Sequence, residues 1–345
     1  MSQTPKQSGF TMPAEWENHS AVWLAWPYDE TTFPERVEKA EAGYCKMIDA
    51  LADSEQVKLL VLDGAMKQRV AGMLREPSNV NFHIANYADV WVRDYGPIFL
   101  VNKQEKKLGF VKAKYNGYGK AEDPYYQPLL KDNEVFNRID LPGQKFGLDI
   151  VLEGGAVETN GKGVLITTEQ CLLNPNRNPQ LNKSQIEEFL KNYLVVEKII
   201  WLKQGLVNDH TDGHVDDLAK FIAPDKILAA YEDNPKDENY DILKNNFDVL
   251  AKQSLEVIKL PMPHMQYDES PDGGKTTKAP VSYANFYISN KVILVPTYND
   301  PNDSKALNII QDCFPDRKVV PVDCRDVIYG GGAIHCMTQQ QPALS

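Results

Sequence analysis

The residues best suited to chemistry sit almost at the end of the chain, in Tyr329-Gly330-Gly331-Gly332-Ala333-Ile334-His335-Cys336-Met337-Thr338-Gln339-Gln340. Consecutive glycines let a backbone pass close to another group. A cysteine directly after them reads as a nucleophile presented at the mouth of a pocket. The plainer alternative is a core thiol, since free cysteine often packs as a small hydrophobe. Two acids recur in a related context: Asp94 in Trp91-Val92-Arg93-Asp94-Tyr95-Gly96-Pro97, and Glu153 in Leu152-Glu153-Gly154-Gly155. Each follows an apolar run and precedes glycine, which predicts a carboxylate at a strand end with open space beside it. A salt-bridged acid at a turn is the competing reading. The densest polar cluster is His210-Thr211-Asp212-Gly213-His214-Val215-Asp216-Asp217. If His214 to Asp216 opens a strand, alternation puts both side chains on one face. The histidine could then move protons near neutral pH, with an acid beside it to hold a cation.

Three readings of this set differ in kind. In the first, Asp94, Glu153 and Asp216 hold a planar cation. Guanidinium has five N–H donors in a fixed fork that carboxylates accept in pairs. Cys336 then attacks its central carbon, and His214 gives a proton to departing ammonia. On this reading the held cation favours the thiolate, so Asp216→Asn is expected to weaken binding and raise the thiol's pKa. In the second, His210, His214 and Asp216 bind a hydrolytic metal, helped by Cys336 or His335. The His-x-x-x-His spacing suits zinc on a helix, but Gly213 interrupts it and the following HVDDLAKFI reads as strand. The third is a non-catalytic amine-binding protein, which has no need of a glycine-framed thiol.

Residues so far apart need elements that bring them together, and the chain repeats itself. Trp91 to Val111 reads as strand, polar turn, strand. Leu152 to Thr168, His214 to Tyr231 and Tyr283 to Tyr298 do the same, with Asn-Gly or Asn-Lys turns in two of them. Helical spacing follows, as in Ser184 to Leu190 and Ser304 to Cys313, and then a further strand, Glu197 to Leu202 or Lys318 to Val322. The first unit has strands at Ser20 to Trp26 and Val57 to Leu62 around a helix from Pro34 to Leu51. About five units of hairpin, helix and strand result, at roughly 10–90, 91–151, 152–213, 214–282 and 283–345. They predict one α/β catalytic domain over 1–345. Closing five such units into a ring removes exposed edges and brings equivalent strand ends to one mouth. Two stretches read as loose loops, Lys114 to Pro128 and Met265 to Pro280.

With 345 residues the chain can bury a large core. A net charge of -11 argues against nucleic acid as partner and suits a cationic small molecule. The five cysteines include no Cys-x-x-Cys pair, so neither a disulfide framework nor a zinc ribbon is expected. Cys45, Cys171 and Cys313 read as structural, and Cys324 less clearly so. No apolar run approaches a membrane span and no secretory leader is visible, so a reducing cytoplasm is expected.

Met12-Pro13-Ala14-Glu15-Trp16-Glu17, Ala25-Trp26-Pro27, Trp91 to Pro97, Glu153-Gly154-Gly155, Asp212 to Asp216 and Gly330 to Cys336 together resemble the agmatine deiminase and bacterial peptidylarginine deiminase family. The resemblance runs from about Phe10 to Gln340. It implies a five-bladed, pseudo-symmetric α/β propeller of pentein type that uses no metal and no organic cofactor. It implies Cys336 as a nucleophile forming a covalent thiouronium, and His214 as the general acid and base. Asp94 and Asp216 would hold the guanidinium, Glu153 would be a further acid in the pocket, and Trp91 an aromatic wall. His335 is given no part. Family members assigned to agmatine commonly carry Asn where this chain has Ala333, which bears on the far end of the substrate. Agmatine, a cationic small molecule, is the expected substrate, with peptidyl or free arginine as the alternative. An arginine substrate would call on a cation such as Arg93, Arg177 or Arg325 for its carboxyl end. A homo-oligomer is compatible with all of this.

Overall fold

The computed structural model describes residues 3–267 and 277–344. The centre of the loop expected at Met265 to Pro280, residues 268–276, lies outside the described residues. The first unit runs β1 (His19–Ala25), α1 (Val37–Ala52), β2 (Gln56–Val61), α2 (Gly64–Met73) and β3 (Val80–Ile84). The second has one-turn helix α3 (Val92–Tyr95), then β4 (Ile98–Asn102), β5 (Lys107–Lys114), one-turn helix α4 (Val135–Arg138) and β6 (Gln144–Val151). The third has β7 (Glu158–Thr159), β8 (Val164–Thr168), one-turn helix α5 (Glu169–Leu172), α6 (Lys183–Tyr193) and β9 (Lys198–Leu202). The fourth has β10 (Ala219–Ala223), β11 (Lys226–Tyr231), α7 (Tyr240–Ala251) and β12 (Glu256–Pro261). The fifth has β13 (Tyr287–Ile288), β14 (Val292–Thr297), α8 (Asp303–Cys313) and β15 (Lys318–Asp323). A last strand, β16 (Gln339–Pro342), follows.

These strands form five sheets among the described residues. In four of them an antiparallel hairpin is extended by a parallel third strand: β4-β5-β6, β7-β8-β9, β10-β11-β12 and β13-β14-β15. A parallel neighbour needs a crossover, and the chain between the second and third strands supplies it. The first sheet, β16-β1-β2-β3, takes its antiparallel strand from the far end of the chain, Trp23 lying opposite Gln339. The repeat pattern leaves residues 339–342 in the fifth unit; the pairing places them in the first sheet.

The helices form where apolar spacing gives them a face to bury. In α1, Ala40, Tyr44, Met47, Ile48 and Leu51 are all buried. In α6, Ile186 and Leu190 are buried, and Asn182 with Gln185 forms a capping box at the start. The hairpin strands are shorter than their apolar runs. Of VWVRDYGPIFLV only residues 98–102 are strand, and of HVDDLAKFI only 219–223. The polar residues ahead of each strand turn instead: α3 covers Asp94, and one-turn 3-10 segments cover Gly154–Ala156 and Val215–Asp217. The acids thus stand ahead of the strands on tight turns rather than at strand ends, and His214 to Asp216 does not alternate as a strand.

Gln341 fastens the two ends of the chain. Its Oε1 accepts from Trp23 Nε1 at 3.1 Å and from Lys58 Nζ at 2.9 Å, and its Nε2 donates to Ser20 Oγ at 3.1 Å. Gln341→Ala leaves the buried indole N–H of Trp23 unpaired, a cost of about 1–3 kcal/mol. A lower urea midpoint at unchanged m value is expected; an unmoved midpoint would remove the fastening role.

Candidate active site

The residues just ahead of the first hairpin strand in each unit meet. Asp94 precedes β4, Glu153 precedes β7, His214 and Asp216 precede β10, Asn285 precedes β13 and Cys336 precedes β16. All six are buried. Asp94 Oδ1 accepts from Gly155 N at 3.0 Å and Oδ2 from the Tyr118 hydroxyl at 2.9 Å. His214 Nδ1 lies 3.6 Å from Asp94 Oδ1. Glu153 Oε1 accepts from Arg177 Nε at 2.6 Å. The Cys336 thiol lies 3.6 Å from Asp216 Oδ2 and accepts from Asn285 Nδ2 at 3.1 Å. Four buried groups carry polar atoms without a protein hydrogen-bond partner: Asp216 Oδ1, Glu153 Oε2 and both His214 nitrogens on the site side, and Arg93 Nη2 behind it. Buried atoms of this kind cost stability, so the first three mark where a polar ligand would be received.

Gly155 marks where these groups converge. A Cβ there would stand 2.6 Å from His214 Nδ1, 2.9 Å from Asp94 Oδ1 and 3.1 Å from Asp216 Oδ2. A single added carbon would thus touch the imidazole and both acids at once. Trp91 closes another side. Its indole N–H donates to Asp89 Oδ2 at 2.9 Å, and a Cβ on Gly332 would meet the ring at 2.7 Å. Gly331, at φ +96°, passes where a Cβ would lie 2.0 Å from His210 Cε1. The glycine run is therefore required by the crowding of Trp91 and His210, as well as by its own left-handed turn.

Crowded acids cannot all ionise. Burial, with Asp216 and Glu153 close by, pushes Asp94 up to about 6 despite the opposing pull of His214. Asp217, behind Asp216, is raised well above the carboxylate range by burial and by Asp216. Asp216 goes the other way: burial would raise it, but the hydrogen bond and charge of His335 hold it below its ordinary value. Burial disfavours a charged His214, yet Asp94, Cys171 and Asp216 raise its pKa well above the usual value, so it is the imidazolium at neutral pH. Burial raises the Cys336 thiol, and Asp216, Asp217 and Asp94 raise it further. Asp216 thus opposes the free thiolate. Replacing it lowers the thiol's pKa in the free protein, contrary to the expectation from sequence, because the cation that reverses the sign comes only with the ligand.

All six residues expected at the site, Trp91, Asp94, Glu153, His214, Asp216 and Cys336, gather here. The set proposed for a metal, His210 with His214 and Asp216, does not. Among the described residues the close group of ligand atoms containing His214 is Glu153, Cys171 and His214. Cys171 is both core and site wall, so reading it as structural alone falls short. Three other contributors escaped the sequence. Asn285 carries no charge to flag it, although its place ahead of β13 repeats that of Asp94. Tyr118 lies in the Lys114 to Pro128 stretch, whose looseness hid a buried hydroxyl on Asp94. Arg177 looked like a substrate cation but is locked on Glu153 and Asp212. Arg93 and Arg325 are engaged too, with Gln340 and Asp323.

The sequence model of the Porphyromonas-type peptidyl-arginine deiminase family matches residues 11–342. The chain belongs to this family. It is 37% identical over 364 residues to agmatine deiminase of Pseudomonas aeruginosa, covering 99% of this chain and 98% of that protein. It is 36% identical over 365 residues to that of Pseudomonas fluorescens, with the same coverage. Among solved structures it is similar to agmatine deiminase of Enterococcus faecalis, with TM-score 0.92 and 32% identity over 100% of this chain and 99% of that one. A Cys-to-Ser variant of C. jejuni agmatine deiminase with substrate bound gives TM-score 0.85 and 28% identity over 97% of each chain. An amidinotransferase of Microseira wollei, at 14% identity and TM-score 0.52, covers 98% of this chain and 99% of that one, and shares the fold.

Gly155→Ala fills the space between His214, Asp94 and Asp216 without asking for an unusual backbone. A folded protein with guanidine hydrolysis reduced by about 10²-fold or more is expected. Steady-state rates together with a melting curve check it; wild-type rates would place the ligand elsewhere.

Proposed function

We propose that this member of the family hydrolyses the guanidinium group of agmatine, giving N-carbamoylputrescine and ammonia. The observation that carries the reading is the convergence at Gly155 of two acids and an imidazole, with a thiol 3.6 Å from one of the acids. Asp94 and Asp216 take the flat cation by its N–H edges. Its positive charge offsets the acids that keep Cys336 protonated, so the thiolate forms beside its target. Sulfur bonds to the central carbon, and the C–N bond breaks as His214 gives its proton to the leaving nitrogen, releasing ammonia and leaving a thiouronium. Neutral His214 then takes a proton from water, whose oxygen bonds to the same carbon, and the thiol departs as the ureido product forms. Glu153, braced by Arg177, keeps a carboxylate within 4.8 Å of His214.

Several observations favour agmatine over arginine. The two Pseudomonas relatives and the Enterococcus faecalis structure named above are agmatine deiminases. Arg93, Arg177 and Arg325, the cations that a carboxylate end would need, are each held by other side chains. Ala333 offers Cys336 its backbone N–H, so the guanidinium end does not depend on a side chain there.

The same reading makes residues 1–345 a single catalytic domain in which the five sheets close as a five-bladed propeller. The β16–β1 pairing of the chain ends supports closure. It also places the protein in a reducing cytoplasm, where five free thiols persist. Among the described residues no helix is long and apolar enough to cross a membrane.

Ammonia release from agmatine, arginine and an arginyl peptide tests the substrate, with agmatine expected to be preferred; equal or better turnover of the peptide would overturn that choice. Cys336→Ser is expected to lower kcat by about 10³-fold or more, the scale on which removing a nucleophile acts; full activity in that variant would exclude the covalent route. Because Asp94 must be ionised to hold a cation and stands near 6, kcat/KM for agmatine is expected to fall as pH drops below about 6. A profile flat down to pH 4 would remove Asp94 from binding.

A further inference from the structure

Two residues from the sequence motifs take no part in the chemistry above: Glu15, from Met12 to Glu17, and His335, the neighbour of the nucleophile. The fold puts them in contact. His335 is buried, with Nδ1 2.7 Å from Asp216 Oδ2 and Nε2 2.8 Å from Glu15 Oε2. Each short contact needs a hydrogen between its two atoms, and only the imidazolium brings a donor on both nitrogens. Behind Glu15 the charges continue to alternate. Lys220 Nζ lies 3.2 Å from Glu15 Oε2, Arg93 Nη2 lies 3.6 Å from it, and Glu158 Oε2 lies 3.9 Å from Lys220 Nζ. All of these side chains are buried.

We propose that His335 is a positioning residue that holds Asp216 as an oriented anion, and that Glu15, 320 positions upstream, keeps the His335 ring doubly protonated. The pocket presents Asp94, Glu153, Asp216 and Asp217 to one another, and something must decide which of them stays ionised. A cation clamped on Asp216 Oδ2 decides it and leaves Oδ1 for the ligand. Burial, Arg93 and Lys220 pull the ring below the ordinary imidazole value, against Glu15 and Asp216, which favour the charged form. On this proposal the two short contacts outweigh that pull, because each needs a donor on the ring when both carboxylates are ionised. Glu15 can play this part because Lys220, His335 and Arg93 overcome the penalty of its own burial and hold it well below the ordinary carboxylate value.

That the anion serves a guanidinium rests on the function proposed above; the charge state of the ring does not. The experiment therefore has two arms. In the first, ¹⁵N-histidine labelling reports the ring of His335 among the chain's 6 histidines, with His335→Asn for assignment. Both nitrogens are expected to carry protons from pH 6 to 8, and Glu15→Gln is expected to free one of them in that range. One bare nitrogen in the wild-type ring at pH 7 would overturn the proposal. In the second, kcat/KM for agmatine is followed against pH in His335→Asn, which leaves the Glu15–Lys220 pair in place should Glu15→Gln fail to fold. The acid limb, set in the wild type by Asp94, is expected to steepen as Asp216 takes up a proton on it too, with KM raised about tenfold at fixed pH on that limb and kcat changed much less. A folded variant with the wild-type limb and KM would also overturn it, since a purely structural role moves neither. If the wild-type protein does not act on agmatine, the functional reading fails and the first arm still decides the charge state.

Discussion

Everything at the site follows from placing several carboxylates in one buried pocket, where they cannot all be charged. Left to themselves, Asp94, Glu153, Asp216 and Asp217 would take up protons until repulsion eased. The surrounding groups make the outcome selective. Asp216 meets His335, Glu153 meets Arg177, and Asp94 stands near 6, hydrogen-bonded to a hydroxyl and a backbone N–H with His214 3.6 Å away. The pocket is thus acidic by composition but only partly anionic, and a cation entering it completes the balance.

The same crowding sets the state of the Cys336 thiol. A buried thiol among acids holds its proton more tightly, and Cys336 is raised well above the ordinary thiol value. A flat cation reverses the sign of the local field just where the sulfur needs it. Reactivity and recognition are then one electrostatic event, which is why the proposed chemistry needs neither a metal nor an organic group to activate the sulfur. Asn285 fits this picture as a neutral donor to the sulfur that adds no further negative charge.

Much of this was legible in the sequence. Apolar spacing located α1, α6 and α8 to within a few residues and turn dipeptides located the hairpins, because burial of one face is a local requirement that spacing records, while α2 and α7 were not singled out. Strand starts were overrun, at Trp91 and at His214 alike, because an apolar run does not say where the chain must turn to aim a polar side chain. Motif context brought forward Asp94, Glu153, His214, Asp216 and Cys336. It passed over Asn285 and Tyr118, whose side chains become significant only through what they touch.

By itself, then, the sequence determined which side chains were available, the repeating order of hairpin, helix and strand, and the membership of a family. These depend on composition and on neighbours along the chain. Only the tertiary structure decided that Gln339–Pro342 pairs with β1, that Arg177 is spent on Glu153, and that Glu15 reaches Asp216 through His335. Each of those is a contact between residues far apart in the chain, and the charge a buried group carries is set by such contacts rather than by its type.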